Sequence, residues 1–266
     1  MFNQIIRSNL NHPLYNSRVL VVSGIGRSGT TVLRKSLEIH NEIISTQTEN
    51  NLVFDLLESL ERSINQRSNA IKDSIVDHKR VFKNTILDTT FPLVFDKRKV
   101  NALCCDLRVE SLNQMIELFK EKLKIIYIIR NGIEVVASRM IKKQFSNFTF
   151  EENCRIWAYS EKVARHAVNL PQLHLVRHEN FLSEHSLAKT YKRIFSHIGI
   201  AFEPKCIEFV NKNFCHPTSL SKNDEDKKNL NSRSARWNKF TEKQKEDFRE
   251  ICSDCMDYFG YQIPSL

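Results

Sequence analysis

A chain of 266 residues, 41% hydrophobic and 27% charged, carries enough apolar material for one large α/β domain and is expected to fold as a single domain over 1–266. No run approaches the roughly 20 apolar residues of a membrane span, the N-terminus lacks the apolar centre of a secretory signal, and seven scattered cysteines form no disulfide framework; a cytoplasmic setting without membrane association is expected. Forty basic against 31 acidic residues leave a formal charge of +9, which suits a nucleic acid or a small anionic ligand, but the basic residues are spread along the chain without a nucleic-acid motif, so no nucleic-acid partner is expected.

Residues 1–17 read as a polar lead-in, with a turn at Pro13 and Asn16. Val19, Leu20, Val21 and Val22 form a continuous apolar run of the kind that suits a strand buried on both faces of a parallel sheet. Gly24-Ile25-Gly26-Arg27-Ser28-Gly29-Thr30-Thr31 comes next, followed by helical periodicity at Val32, Leu33 and Leu37. Strand, glycine-rich turn and helix start make a phosphate-binding loop, with backbone N–H groups and the helix N-terminus facing an anion. Set against G-x-x-x-x-G-K-[ST], Gly24, Gly29 and Thr31 fit, while Thr30 stands where the lysine belongs. That lysine grips the outer phosphates of a nucleoside triphosphate, so its absence disfavours a kinase or ATPase.

Ile43–Ser45 reads as a short strand, and Glu49 opens a helical pattern at Val53, Leu56, Leu57 and Leu60. Residues 61–80 are polar with helical character, a lid or insertion over the site. Residues 84–90 read as a strand that ends in a turn at Pro92. Leu112, Met115, Ile116 and Phe119 mark an amphipathic helix leading into KIIYIIR at 124–130, the second strongly apolar strand. Asn131-Gly132 then turns the chain into a helix carrying Ser138 and Lys142. Ligands of open α/β sheets lie beyond the carboxyl ends of the strands, which places Arg130 beside the loop. The four-residue spacing puts Ser138 and Lys142 on one helical face near its start. An arginine, a hydroxyl and an ammonium gathered there suit a phosphate monoester.

Ile156, Val163, Ala164 and Ala167 mark a further helix, and 173–176 a short strand. Leu187, Tyr191, Ile194, Phe195 and Ile198 give a helix ending near Gly199. Residues 219–236 are charge-rich without apolar periodicity and read as a mobile loop, and the last helix runs over about 241–259. Cys252 and Cys255 fall in one stripe with Phe248, Ile251, Met256 and Phe259, which assigns this C-x-x-C to the core. Strands alternating with helices predict an α/β fold: a P-loop-like parallel sheet flanked by helices on both faces, in three layers.

The motif strand-G-x-G-R-S-G-T-T-helix resembles the 5′-phosphosulfate loop of the sulfotransferases. An apolar strand followed by Arg130-Asn131-Gly132, with Ser138 eight residues after the arginine, resembles their 3′-phosphate motif. LVRHENFL at 175–182 is similar to the family's L-x-x-Y-E-D-L, with His178 in the tyrosine position, and 195–200 to its F-x-x-L-G-I element. Arg236-Trp237 and the final helix resemble its closing element. The resemblance spans roughly residues 18–261 and is nearest to the tyrosylprotein and bacterial branch.

It implies transfer of a sulfuryl group from 3′-phosphoadenosine 5′-phosphosulfate to a hydroxyl or a nitrogen of a small-molecule acceptor such as a microbial secondary metabolite. The product is 3′,5′-adenosine bisphosphate, and no metal is implied. Gly26, Arg27, Ser28, Gly29, Thr30 and Thr31 are then expected around the phosphosulfate, and Arg130, Ser138 and Lys142 around the 3′-phosphate. His178 joins them, as do Arg233 and Arg236, folding back from the loop. Arg27, where the cytosolic enzymes carry lysine, is implied to offset charge on the leaving oxygen. Glu49, 22 residues past Arg27, is implied as the general base. His40 reads as a packing or capping residue. The branch's lysine that steadies the transferring group is replaced by Thr89, and the cytosolic branch's histidine has no counterpart at Thr89-Thr90-Phe91-Pro92. Two alternatives stay open. One is a P-loop nucleotide kinase or NTPase using Asp88 for magnesium; the other is a nucleotide- or nucleic-acid-binding module without catalysis.

Overall fold

The four apolar residues Val19 to Val22 are completely buried in strand β1 (Arg18–Ser23), as a run covered on both faces must be. The computed structural model describes residues 18–45, 99–104, 109–182, 184–214 and 233–264. The expected helix from Glu49, the 61–80 insertion, the 84–90 strand with Asp88 and Thr89, and 215–232 lie outside them. Four more described strands join β1: β2 (Ile43–Ser45), β3 (Val100–Cys104), β4 (Leu123–Ile129) and β5 (Leu173–Arg177). All pair in parallel, in the order β2-β3-β1-β4-β5.

Alternation along the strands divides the core in two. Val19, Val21, Ile125, Tyr127 and Ile129 face α2 (Val109–Phe119), α3 (Gly132–Met140), α4 (Phe150–Ala167) and α8 (Glu242–Tyr258). Leu20, Val22, Ile126 and Ile128 face the opposite layer, α1 (Thr30–Leu37), α5 (Glu184–Ile198) and α6 (Lys205–Phe214). The three-layer α/β architecture is therefore as expected. No described helix is long and apolar enough to cross a membrane.

Two described elements escape the periodicity reading. β3 is interrupted by the polar Asn101, which is buried because its side-chain amide donates to the carbonyls of Arg18 and Lys99 at 3.3 Å each. α6 is recognisable by its buried Cys206 and Val210. The loop expected over 219–236 is corrected at its end: Arg233–Trp237 forms helix α7. Trp237 is buried there against Phe240 and Phe248, with ring centroids 5.8 and 5.7 Å away, a tertiary contact that local polarity does not report. Cys252 and Cys255 lie in the core on α8, free and buried.

β1 feeds α1 on one face of the sheet, whereas its neighbour β4 feeds α3 on the other. Connections that diverge from adjacent strands open a crevice at the carboxyl ends, where ligands of such sheets bind.

Candidate active site

The loop leaving β1 is shaped by two close approaches. Gly24 has φ of 143°, and a Cβ there would lie 2.3 Å from the Ile128 carbonyl oxygen, so only glycine lets the chain pass β4. Ser28 N–H then donates to the Ile25 carbonyl at 3.0 Å and closes the turn. Gly29, the N-cap of α1, sits at φ 100°, where a Cβ would come within 2.9 Å of the His178 ring. Arg27 also takes positive φ, 85°, a strained state for a residue with a side chain. Left-handed backbone at these positions is the signature of an anion-binding concavity, and the first N–H groups of α1 have no intrahelical acceptor. Ser28 Oγ is buried without a partner among the described residues. Thr30 is buried and Thr31 exposed.

Arg27 and Ser138, 111 residues apart, meet: Arg27 Nε donates to Ser138 Oγ at 3.0 Å. Arg130 Nη1 donates to the Arg27 carbonyl at 3.0 Å, tying the end of β4 to the loop. The Arg130–Gly132 turn is itself braced. Asn131 Oδ1 accepts from Ile133 N–H at 3.0 Å and caps α3. Asn131 N–H donates to Glu179 Oε1 at 3.1 Å, and Trp157 Nε1 donates to the Arg130 carbonyl at 3.2 Å. Glu179 Oε2 accepts in turn from the Tyr261 hydroxyl at 3.1 Å. Glu134, one helical turn beyond Arg130, accepts from Arg130 Nη2 at 3.0 Å and with the same oxygen from Arg236 Nη1.

Three guanidiniums and two carboxylates thus share a partly dehydrated corner. Burial pushes the Arg27 pKa down, and the Arg236 charge adds to this. Arg130 is lowered mainly by burial, against the pull of Glu134 and with the push of Arg236. Burial, then Arg130 and Arg236, hold His178 well below the ordinary imidazole range, so it packs on Gly29 as the neutral ring.

Of the expected site residues, Gly26, Arg27, Ser28, Gly29, Thr30, Thr31, Arg130, Ser138, His178 and Arg236 fall on this loop, the helix start that follows it or the network around it. Lys142 does not share a helical face with Ser138 near a helix start. α3 ends at Met140, so Ser138 lies in its last turn and Lys142 in the following bend, its N–H donating to the Arg139 carbonyl at 3.1 Å. Arg233 opens α7, and Glu49 lies outside the described residues. His40 has a packing role: Nδ1 accepts from Glu42 N–H at 3.0 Å and Nε2 donates to the Ala201 carbonyl at 2.8 Å. Sequence reading missed Glu134 and Glu179. The i,i+4 spacing of Arg130 and Glu134 was a usable signal for the first, and the glutamate position of the L-x-x-Y-E-D-L-like segment, next to His178, for the second.

Comparison with curated proteins gives no significant match. The family model described as the sulfotransferase family matches residues 20–204, a span that includes the loop, β4, Ser138 and His178 but not Arg236. Among solved structures, the chain resembles mouse sulfotransferase SULT7A1 complexed with PAP, at 17% identity and TM-score 0.53, covering 91% of this chain and 84% of that one. It also resembles the sulfotransferase domain from the curacin biosynthetic pathway (16%, TM-score 0.51, 93% and 99% covered). The sulfotransferase domain of the Synechococcus PCC 7002 olefin synthase is similar too (14%, TM-score 0.53, 92% and 95%). At such identities the likeness is one of fold.

Proposed function

Because the chain belongs to the sulfotransferase family, we propose that it moves a sulfuryl group from 3′-phosphoadenosine 5′-phosphosulfate to a hydroxyl or nitrogen of a small acceptor without a metal. The observation that carries this reading is the Arg27–Ser138 hydrogen bond, which joins the phosphate loop to the second motif and gathers Arg130 and Arg236 beside it. A donor with anionic groups at its 5′ and 3′ positions fits two adjoining cation-rich cradles better than a triphosphate fits one. The Ser28 hydroxyl, buried without a partner among the described residues, supports the same fit.

The loop from Gly26 to Thr31 would hold the 5′-phosphosulfate. Arg130, Ser138 and Arg236 would hold the 3′-phosphate, with Lys142 and Arg233 at its edge. The bound donor supplies the activated sulfuryl group. Arg27, spanning both cradles, offsets charge on the leaving oxygen, and neutral His178 seats the loop. Glu49 takes the proton of the acceptor.

The test is thermal unfolding with 3′,5′-adenosine bisphosphate, with ATP and Mg²⁺, and with the bisphosphate plus EDTA. The bisphosphate is expected to raise Tm with or without EDTA, by the equivalent of about 2.7 kcal/mol at a hundredfold excess over Kd. Stabilisation by ATP–Mg²⁺ without any by the bisphosphate would refute the reading. Glu49→Gln is expected to keep the bisphosphate response while sulfuryl transfer falls by roughly 10² to 10⁴; near-normal transfer would remove Glu49 from the mechanism.

A further inference from the structure

A carboxylate already stands between the two arginines assigned above to the 3′-phosphate. Glu134 Oε2 takes both guanidiniums, Arg130 Nη2 at 3.0 Å and Arg236 Nη1, and the Glu134 carbonyl accepts from Arg236 Nη1 at 3.2 Å. The three side chains are largely withdrawn from water, at 9% exposure for Glu134, 19% for Arg130 and 14% for Arg236. Glu134 Oε1, by contrast, is buried with no partner among the described residues. A carboxylate has about four acceptor positions, and one serving only the fold would spread its contacts over both oxygens. Here one oxygen carries both ion pairs, and the other has no partner among the described residues.

Resting on the donor reading above, we propose that Glu134 is a positioning residue that acts as an internal competitor for the 3′-phosphate. It draws Arg236, and with it α7, to Arg130, and it occupies the same N–H donors that a phosphate monoester would use. A terminal phosphate brings three oxygens and close to two negative charges, so it outmatches the single carboxylate oxygen; a weaker anion does not. Glu134 therefore lowers affinity for the nucleotide that carries a 3′-phosphate, which favours release of the bisphosphate product. Removing its charge takes from two poorly hydrated guanidiniums the carboxylate they share, so their mutual repulsion is less offset. The nucleotide-free protein then loses stability, and an incoming phosphate relieves more repulsion than before. A residue that merely shapes the site would, when replaced, weaken stability and binding together. The opposite sign of the two effects marks competition.

Calorimetric titration with 3′,5′-adenosine bisphosphate and with adenosine 5′-phosphate, on the parent and on Glu134→Gln, decides the matter. Glu134→Gln is expected to lower Tm without nucleotide and to bind the bisphosphate on the order of tenfold more tightly, with a much smaller change for adenosine 5′-phosphate. Should the glutamine variant not fold, Glu134→Asp, one methylene shorter and unable to bridge both arginines, is expected to show a gain of the same sign. Binding by the parent with an unchanged or weaker affinity in the variant would overturn the inference alone. Absence of bisphosphate binding in both folded proteins would overturn the donor reading, and this inference with it.

Discussion

Gly29 shows how one residue can belong to the fold and to the site at once. It needs a positive φ to turn the loop into α1, and it needs no side chain because the His178 ring occupies that space. Gly29→Ala is expected to cost about 1–2 kcal/mol from the left-handed backbone alone, and more as His178 is pushed aside. Since the charges of Arg130 and Arg236 are felt at His178, a displaced ring alters their surroundings, and affinity for 3′,5′-adenosine bisphosphate should fall as well. Urea unfolding and calorimetric titration check both; unchanged binding in a destabilised protein would confine Gly29 to the fold.

At the scale of elements, α4 and α8 brace the site from behind. Trp157 on α4 holds the Arg130 carbonyl and stacks on Phe248 of α8, with ring centroids 6.4 Å apart. Each helix begins in a reciprocal capping box, Thr149 with Glu152 and Thr241 with Gln244. The cap hydrogen bonds are exposed and involve none of the residues assigned to the phosphates, so their loss is a stability effect. Thr241→Ala is expected to lower stability by about 1 kcal/mol while leaving the bisphosphate Kd unchanged. A marked change in Kd would mean that the register of α8 is read out at Arg130.

For the whole molecule, two buried titratable groups give stability opposite pH slopes. Glu161 on α4 is fully buried with neither carboxylate oxygen partnered among the described residues. Burial, reinforced by Glu179 and opposed by Arg177, holds its carboxyl well above the usual range. The folded chain keeps this proton when the unfolded chain has released it, so stability falls as pH rises from about 4.5 toward the raised folded value. His178, displaced downward, works in the other direction: below about 6.5 the unfolded chain binds a proton that the folded chain refuses, and stability falls with acidification. Glu161→Gln should therefore remove the loss on the alkaline side and leave the acid limb in place, as read from urea midpoints across pH. An unaltered alkaline limb would show that Glu161 does not titrate on unfolding.

By itself the sequence determined the parts whose causes are local. Runs such as Val19–Val22 and 125–129 declare buried strands because consecutive residues in them are apolar or aromatic. The G-x-G-R-S-G-T-T loop declares an anion cradle because glycine spacing and a helix start are adjacent in sequence. Arg130 and Ser138 were legible because strand end and helix follow one another directly. What tertiary structure alone decided depends on residues far apart in the chain. Asn101 is accommodated in β3 with the help of the Arg18 carbonyl, 83 residues away in the chain, and Trp237 at the end of α7 packs on Phe240 and Phe248. Glu179 enters the site through Asn131, and Glu134 becomes a shared counter-ion only when Arg236, 102 residues later, returns to it. Local periodicity reports which face a residue shows to the core; it holds no information about which distant charge that face will meet, and the chemistry of this site lies in those meetings.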